Sequence, residues 1–406
     1  MIRKKAFKVR LYPNKKQEQQ INQTIGNCRF WYNKCLEHVI SWKKEHGSYE
    51  GFKQLNPKDF KKELEWLALG SSRGLQQAQN DLTEAFKNMK KMGSGFPKFK
   101  KKGMKDSYRE PQTETFCKVL ETKIKLLKLG FVSFKASGSY LDILQTIKIC
   151  NVTISKNKVG HYFASILCDV EIPTLPVQSK SIGIDLGLKE FAVMSDKTII
   201  ENPHFGRNSE NKTKTLQRRL SRKVKGSNRY EKQRVKLAKV HLHVSNQRNH
   251  FLNELSSKIA NESQVICLED LHIKGIVRNH KLAKAIHDVS WSSFVTKLKY
   301  KSGWYGRTIH QVDRFFPSSK TCSSCGWKKV DLTLKDRTFK CEKCGLEIDR
   351  DYNASINILN QGMAELAKTD PKGSTFVDKS ASVDVNLLTS VSNLDEAKNQ
   401  FMGRFL

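Results

Sequence analysis

Carboxylates at the ends of short apolar segments are the residues of this chain best placed to do chemistry. Asp185 ends the run "SIGID" and Glu269 ends the run "VICLE", and each run has the pattern of a buried strand. Asp349 and Asp351 lie just ahead of a helical pattern. Carboxylates that are brought together repel one another unless cations occupy the site, and their hard oxygens suit Mg²⁺ or Mn²⁺. Two such ions activate a water and stabilise the leaving oxygen of a phosphodiester, so we expect phosphodiester hydrolysis.

Each of these acids also has a simpler structural explanation. Asp185 is followed by Gly187, and Asp and Gly are ordinary turn residues. Asp349 and Asp351 lie where an acid is the expected cap of a helix. The residues alone therefore leave open which of these two aspartates would join the cluster.

Four cysteines have the spacing of a zinc module. Cys322, Cys325, Cys341 and Cys344 form the pattern C-x2-C-x15-C-x2-C, which suits one tetrahedral Zn²⁺. Four thiolates saturate the metal, so this zinc is expected to be structural. The remaining cysteines lie among apolar neighbours and are expected to be reduced and buried. They are Cys28, Cys35, Cys117, Cys150, Cys168 and Cys267.

The charge of the chain favours a polyanionic partner. Its 406 residues contain 73 Lys and Arg against 40 Asp and Glu, which gives a net charge of +33. Nucleic acid is the leading candidate and an anionic membrane surface is the rival. No stretch of about 18 apolar residues and no signal peptide is evident in the sequence, so we expect a cytoplasmic protein without membrane association.

Two basic segments are candidates for nucleic-acid contact. Residues 207–248 contain 14 Lys and Arg against two Glu, with a helical pattern that indicates one long helix or two. The residues proposed to contact nucleic acid in this segment are Arg218, Arg219, Arg222 and Lys223. Residues 96–109 interleave aromatic rings with lysines, a mixture that can grip phosphates and stack on bases, although a solvated basic loop is the simpler alternative. The lysines proposed there are Lys98, Lys100, Lys101 and Lys102, with Phe96, Phe99 and Tyr108 as the rings.

The remaining pattern predicts a strand followed by helices and then more strands. The first dozen residues alternate like a strand, and apolar positions over 21–42 and 75–89 recur at helical spacing. Strands are predicted from Cys117 to Ile172, with a hairpin turn at Asn157–Gly160. Two prolines near residue 176 indicate a linker.

The segments "GIDLGLKEFAV", "CLEDL", "CSSCG", "CEKCG" and "DRDYNASINI", in this order, resemble the three RuvC motifs and zinc ribbon of the TnpB family. The start "MIRKKAFKVRLYPN" and "GFPKFKKK" are similar as well, so the resemblance spans residues 1–360. It implies an α/β multidomain fold with a β-barrel wedge domain at 1–12 and 116–176 and a helical recognition domain at 13–115. It further implies an RNase H-like RuvC domain at 177–318 and 346–365 and a zinc ribbon at 319–345. The resemblance ends near residue 365, and the polar composition of 366–406, with few aromatic residues, predicts a disordered tail.

The resemblance also implies an activity and assigns residues to it. Members of that family are Mg²⁺-dependent, RNA-guided DNA endonucleases, whose guide RNA comes from the transposon end and which cut double-stranded DNA beside a short transposon-adjacent motif. The catalytic acids fall on Asp185, Glu269 and Asp351, and Asp349 becomes a cap or supporting acid. Motif reading is assigned to Gln76 in the helical domain and to the polar run 112–115, ending at Thr115, because amides can hydrogen-bond base edges.

Two other functions stay open at this point. Some relatives have lost catalytic acids and act as RNA-guided DNA-binding regulators, although all three acids are present here. A guide-independent transposase or junction resolvase would share the carboxylates but does not by itself explain so large a basic surface. A monomer is expected in either case.

Overall fold

The computed structural model describes residues 2–49, 51–111, 117–136, 138–333 and 335–369. They divide into two compact units, with the boundary along the chain between Val170 and Glu171, and each unit is described by itself.

The first unit contains seven strands and five helices. In chain order these are β1 (Ile2–Tyr12), α1 (Lys15–His46), α2 (Pro57–Glu63), α3 (Glu65–Ala68), α4 (Ser72–Met92), β2 (Asp106–Pro111), β3 (Lys118–Leu120), β4 (Lys123–Leu126), β5 (Gly130–Lys135), α5 (Gly138–Thr146), β6 (Ile149–Lys156) and β7 (Tyr162–Glu171). The predicted first strand, both helical stripes and the hairpin at Asn157–Gly160 are present.

Capping residues define both ends of helix α1. The Asn14 side chain accepts a hydrogen bond from the Gln17 backbone at 2.9 Å, and the Gln17 side chain accepts one from the Asn14 backbone at 3.0 Å. This reciprocal cap satisfies two backbone donors at the helix start. Gly47 ends the helix with φ of 70°, a conformation that suits glycine.

The strands form one sheet with the order β2-β6-β7-β1-β5-β4-β3, which is open at β2 and β3 among the described residues. The core lies between this sheet and the helices, with Phe7 and Leu11 of β1 packed among Ile21 and Trp31 of α1. The expected wedge barrel is thus an open sheet in this description.

The sequence predicts a helical domain over 13–115 and does not predict strand β2. Part of β2 belongs to the basic segment 96–109, here called the lysine loop, and residues 106–111 pair antiparallel with β6, with Tyr108 opposite Ile154. The tyrosine is 5% exposed, so it is part of the core and is not available to stack on bases. The alternation of Tyr108 and Glu110 toward the interior explains the strand, since period-2 burial is the strand pattern.

The second unit is built on a five-stranded sheet. Its elements are β8 (Ser181–Leu186), β9 (Glu190–Met194), β10 (Ile199–Glu201), α6 (Phe205–Asn208), α7 (Glu210–Ser221), α8 (Asn228–Glu262), β11 (Val265–Glu269), α9 (Ile273–Ile276), α10 (His280–Val289), α11 (Trp291–Tyr305), β12 (Thr308–Val312), β13 (Thr338–Lys340), β14 (Glu347–Asp349) and α12 (Arg350–Thr369). The basic stretch 207–248 is divided between α7 and α8.

The strand order of this sheet is β10-β9-β8-β11-β12. Strands β10, β9 and β8 pair antiparallel, whereas β8, β11 and β12 pair parallel. The ends of β8 and β11 therefore lie at the same edge of the sheet, with Ile184 opposite Leu268.

Helix α12 lies directly against this sheet. A side-chain carbon on Gly183 of β8 would lie 2.1 Å from the Ser355 carbonyl oxygen of α12, and one on Gly362 would lie 2.5 Å from Cys267 Sγ. Only glycine permits so close an approach. On the same helix, Glu365 lies 2.6 Å from His310 Nε2 of β12. The helix continues to Thr369, four residues into the segment expected to be a tail, and residues 370–406 lie outside the description.

In the portion of the chain that is described, every helix is too short or too polar to span a bilayer.

Candidate active site

The fold brings the three predicted acids to one end of the second sheet. Asp185 is the penultimate residue of β8, and Glu269 is the last residue of the neighbouring parallel strand β11. Asp351 is in the first turn of α12, the helix that packs on β8. The three carboxylates therefore come from two adjacent strand ends and a helix start, as the sequence predicts.

The charges of these acids act on one another. Burial, reinforced by the carboxylates of Glu269 and Asp351, raises the pKa of Asp185 to about 8, while the Arg350 guanidinium opposes the rise. Burial also raises the pKa of Glu269, and a hydrogen bond from the Ser318 hydroxyl opposes it. A buried acid surrounded by acids is stabilised by a proton or by a metal cation.

The donor set fits a hard divalent cation. Carboxylate oxygens are the ligands of Mg²⁺ and Mn²⁺. Burial first, and then the neighbouring carboxylates of Glu269 and Asp351, raise the pKa of Asp185, and a bound cation would favour its ionised form instead. Within the described ranges, the three carboxylates are not among the groups whose ligand atoms all lie within 4.8 Å of one another. Drawing them onto ions would therefore need side-chain adjustment.

Two arginines hold Asp351 in its present orientation. Arg350 donates from Nε at 2.9 Å and from Nη2 at 2.7 Å to the same oxygen, Oδ1. Arg337 approaches the other oxygen, Oδ2, at 3.6 Å. Arg350 is itself tied to the ribbon, because its Nη1 donates to the Asp336 carbonyl at 2.9 Å. The orientation of this acid is thus linked to the cysteine-rich module.

Asp349 has the role of a helix cap. Its Oδ1 accepts hydrogen bonds from the backbone N–H groups of Asp351 at 3.0 Å and Tyr352 at 2.9 Å. A carboxylate that accepts from the first helical amides stabilises a helix start.

The four predicted zinc ligands converge. The sulfurs of Cys322, Cys325, Cys341 and Cys344 all lie within 4.8 Å of one another. Burial opposes ionisation of Cys341, but hydrogen bonds from the backbone amides of Cys344 and Lys343 and from neighbouring thiols lower its pKa to about 7. Four clustered thiols with one already prone to ionise fit a tetrahedral Zn²⁺. Strands β13 and β14 flank this module, with Phe339 fully buried beneath it.

The other cysteines have no catalytic features. None of the ten forms a disulfide. Cys28, Cys35, Cys168 and Cys267 are buried as expected, whereas Cys117 and Cys150 are only half-buried. Burial raises the pKa of Cys267 to about 12, which makes it an inert thiol.

The basic residues singled out in the second unit lie at the end of α7 and in the turn before α8. Arg218 and Arg219 are exposed in the last turn of α7, Arg222 caps it and is exposed, and Lys223 follows, half-buried. This placement leaves the three arginines accessible to a polyanion.

The lysine loop is partly committed to packing. Lys98, Lys101 and Lys102 are exposed. Lys100 is anchored, since its backbone exchanges hydrogen bonds with the Asn33 side chain and its Nζ lies 3.9 Å from the centre of the Tyr32 ring. Phe96 packs against Phe86. Phe96 and Lys100 thus make contacts within the protein but remain exposed, as does Phe99.

Gln76 is exposed on α4, where the sequence places it. Its neighbours Gln77 and Gln79 donate within the protein, to Asp81 at 3.2 Å and to the Leu55 carbonyl at 3.1 Å. The polar run 112–115, including Thr115, lies outside the described residues.

The partners of the acids do not follow from the sequence. Arg350 and Arg337 contact Asp351, and Ser318 contacts Glu269. Of these three partners, only Arg350 could have been suspected from the sequence, because it lies between the two aspartates of "DRD".

Three family models match separate parts of the chain. Residues 165–280, which include Asp185 and Glu269, match the OrfB_IS605 model described as "Probable transposase". Residues 291–358 match the Cas12f1-like TNB domain, and these contain the four cysteines and Asp351. Residues 1–48 match a helix-turn-helix domain, although here they form strand β1 and the single helix α1.

Similarity to a solved structure supports the fold class. The chain superposes on the protein of a Cas12f1-sgRNA-target DNA complex with a TM-score of 0.59, covering 88% of this chain and 99% of that one at 14% identity. The chain thus shares the mixed α/β fold of that protein.

Relatives that match along nearly their whole length show the family of this chain. A "Putative RNA-guided DNA endonuclease" of Streptomyces pristinaespiralis is 34% identical over 90% of this chain and 91% of its own length. The "Putative RNA-guided DNA endonuclease InsQ" of Escherichia coli K12 is 30% identical over 90% and 94%. The chain belongs to the TnpB (OrfB_IS605) family.

Proposed function

We propose that this protein is an RNA-guided DNA endonuclease. Its active site, formed by Asp185, Glu269 and Asp351, hydrolyses phosphodiester bonds of the DNA. The observation that carries the proposal is the placement of the three acids at two adjacent strand ends and the start of the helix packed on them. Burial raises the pKa of Asp185 to about 8, and the carboxylates of Glu269 and Asp351 add to the rise. Relatives that cover nearly the whole chain carry the corresponding name. The mixed sheet, with its antiparallel strands followed by two parallel ones, supports an RNase H-like RuvC domain.

The three acids are proposed to hold divalent cations, Mg²⁺ or Mn²⁺. When bound, a pair of such ions supplies an activated water and stabilises the leaving oxygen of the cut strand. Asp185 and Glu269 would provide oxygen ligands from strand ends, where pairing of Asp185 with Val193 and of Glu269 with Val312 limits their movement. Asp351 provides the third carboxylate from the helix start, oriented by Arg350.

The zinc ribbon, residues 319–345, is proposed to be a structural module that supports this site. Four thiolates leave no open position on a zinc ion, so the ribbon cannot supply the hydrolytic metal. The ribbon contacts the acid site through Asp336, whose backbone carbonyl accepts a hydrogen bond from Arg350, the partner of Asp351. One Zn²⁺ per chain would stabilise that connection.

Guide RNA and double-stranded DNA are the proposed partners. Arg218, Arg219, Arg222 and Lys223 in the second unit and Lys98, Lys101 and Lys102 in the first would contact phosphates without reading sequence. The guide is proposed to derive from the transposon end and to select the target by base pairing. Gln76, which is exposed on α4, is proposed to read the transposon-adjacent motif.

Purification from cells that carry the flanking element tests the function. A discrete co-purifying RNA that directs metal-dependent cutting of matched DNA is the expected result. RNA-directed binding without cutting would establish the regulator instead. Cutting that is independent of the RNA would establish a transposase or resolvase and exclude the proposal.

A further inference from the structure

Glu269 is contacted by both ends of one short segment of the chain. Its backbone is paired with Val312 at the end of β12, and the Ser318 hydroxyl donates a hydrogen bond to its Oε1. The segment from Val312 to Ser318 thus begins and ends at the same acid. Ser318 lies 49 positions after Glu269 in the sequence, so only the fold brings the two together. We call residues 313–318 the serine loop.

Ser318 is held in place through its backbone. Its carbonyl accepts a hydrogen bond from Asn357 Nδ2 of α12 at 2.8 Å. The same amide nitrogen donates to the Thr321 carbonyl at 2.6 Å, and Thr321 Oγ1 donates to the Pro317 carbonyl at 2.8 Å. Ser318 and Asn357 are each only 5% exposed, so water competes little for these bonds. The serine hydroxyl therefore approaches Glu269 from a fixed backbone.

Helix α12 contributes to the position of two acids. Asp351 belongs to its first turn, and Asn357 lies about 9 Å further along the helix axis. The helix thus places Asp351 directly and places Glu269 through Asn357 and Ser318. One rigid element therefore helps to set the positions of carboxylates that come from different parts of the chain.

The donor to Glu269 is neutral, whereas the donors to Asp351 are guanidinium groups. A hydroxyl orients a carboxylate and leaves its charge intact, so the full charge stays available to a divalent cation. In the part of the chain that is described, Glu269 Oε2 has no hydrogen-bond partner, which leaves this oxygen free to act as a ligand. Loss of a hydrogen bond that orients a metal ligand typically weakens metal binding or activity about 10–100-fold.

We propose that Ser318 is a positioning residue of the nuclease site, whose hydroxyl holds the Glu269 carboxylate in the orientation of a metal ligand while Asn357 holds Ser318. The inference rests on the proposed function, which makes this site a divalent-metal centre. Ser318 acts only through Glu269 and touches neither the metal nor the DNA. Its removal should therefore weaken metal binding and leave the fold intact.

Titration of the full-length protein with Mn²⁺, followed by the unfolding temperature, tests the proposal without any cleavage. The rise in unfolding temperature that remains in Glu269→Gln measures Mn²⁺ bound elsewhere and is subtracted as a baseline. Ser318→Ala should need about tenfold more Mn²⁺ than the wild type for half of the specific rise. The matched control is Ser319→Ala, which removes a hydroxyl from the same 3₁₀ turn and should respond like the wild type.

Threonine and valine at position 318 separate the hydroxyl from the packing. The two side chains have the same shape, so any cost of the added methyl group is common to both. Ser318→Thr keeps the donor and should need about as much Mn²⁺ as the wild type, whereas Ser318→Val should need about tenfold more. Equal Mn²⁺ requirements for these two variants would overturn the proposal.

The unfolding temperature without added metal separates positioning from a role in folding. Ser318→Ala should unfold within about 2–4 °C of the wild type, because one hydrogen bond contributes little to the stability of a chain of this size. A larger drop, combined with an unchanged Mn²⁺ requirement, would show that Ser318 serves the fold and would overturn the proposal.

Cleavage by the RNA-loaded protein gives a second readout. Ser318→Ala should raise the Mg²⁺ concentration for half-maximal cutting about tenfold, and saturating Mg²⁺ should restore most of the rate, which the loss of a metal ligand such as Glu269 would not allow. A specific Mn²⁺ response that the wild type and Ser318→Ala share in full would overturn the positioning role alone. A wild type with no response above the Glu269→Gln baseline would exclude the metal site itself, and the proposed function with it.

Discussion

Arg350 donates two hydrogen bonds to one carboxylate oxygen of its neighbour Asp351, from Nε at 2.9 Å and from Nη2 at 2.7 Å. The same guanidinium reaches the Asp336 carbonyl in the ribbon at 2.9 Å. One side chain thus connects a proposed catalytic acid to the zinc module. An acid held through one oxygen keeps a preferred orientation, and such positioning is worth substantial rate.

Replacing Arg350 should therefore reduce cleavage without unfolding the protein. We expect Arg350→Ala to lower the single-turnover cutting rate about tenfold or more, with RNA retention unchanged. The matched control is Arg314→Ala, which removes an exposed ion pair with Asp270 near the site and should change the rate less than about twofold. Equal rates for Arg350→Ala and wild type would remove the positioning role.

Close packing of α12 on β8 predicts a large effect at Gly183. A methyl group there would overlap the Ser355 carbonyl, so Gly183→Ala should destabilise the second unit by about 1–3 kcal/mol and displace Asp351 from Asp185. Gly303→Ala is the control. A side-chain carbon on Gly303 of α11 would meet no atom within 4 Å, and alanine favours a helix over glycine. Chemical denaturation should separate the two variants, and equal stability would contradict this packing.

Zinc removal should act through the ribbon. Metal analysis of the purified protein should find about one zinc per chain. Cys341→Ser should lower that content, loosen the Asp336 contact with Arg350 and reduce cleavage, while the second sheet stays folded by circular dichroism. A fully active protein with no zinc would contradict the structural role of the four thiolates.

Proton competition at Asp185 predicts a pH-dependent response to Mg²⁺. With a folded pKa of about 8 against an ordinary value of 3.8, Asp185 holds a proton in the folded chain that the unfolded chain releases. Its contribution to stability is thus present below about pH 4 and is lost as the pH rises toward about 8.

Because Mg²⁺ must displace that proton, added Mg²⁺ should raise the unfolding temperature more at about pH 8.5 than at about pH 6.5. Asp185→Asn, which has no such proton, should lose this difference. An identical Mg²⁺ shift at both pH values in the wild type would contradict the assignment of Asp185 as a metal ligand.

Much of the site could be predicted because its residues depend on local patterns. Asp185 and Glu269 end apolar strands, and the four cysteines have metal spacing, so short segments suffice to find them. The capping role of Asp349 also follows from its place before α12. Each of these features is recognisable from a local segment of about ten residues or fewer.

The remainder depends on contacts between distant segments. Tyr108 is a core residue because β2 pairs with β6, more than forty positions later in the chain. Gln79 of α4 is engaged within the protein, because the Leu55 carbonyl accepts a hydrogen bond from its side-chain amide. Helix α3 packs beside α1 through the Asn27 amide, which donates to the Trp66 carbonyl, and no periodicity in either helix predicts that contact. Side-chain partners of this kind are set by tertiary packing.

Single-turnover cleavage of a matched DNA target by the RNA-loaded protein tests the central claim most directly. In Mg²⁺ the wild type should cut, and Asp185→Asn, Glu269→Gln and Asp351→Asn should each lower the rate at least about 100-fold while the RNA stays bound, because each change removes a metal ligand and leaves the basic surface intact. Wild-type cutting by any one of these variants would exclude that residue from the site, and wild-type cutting by all three would contradict the account.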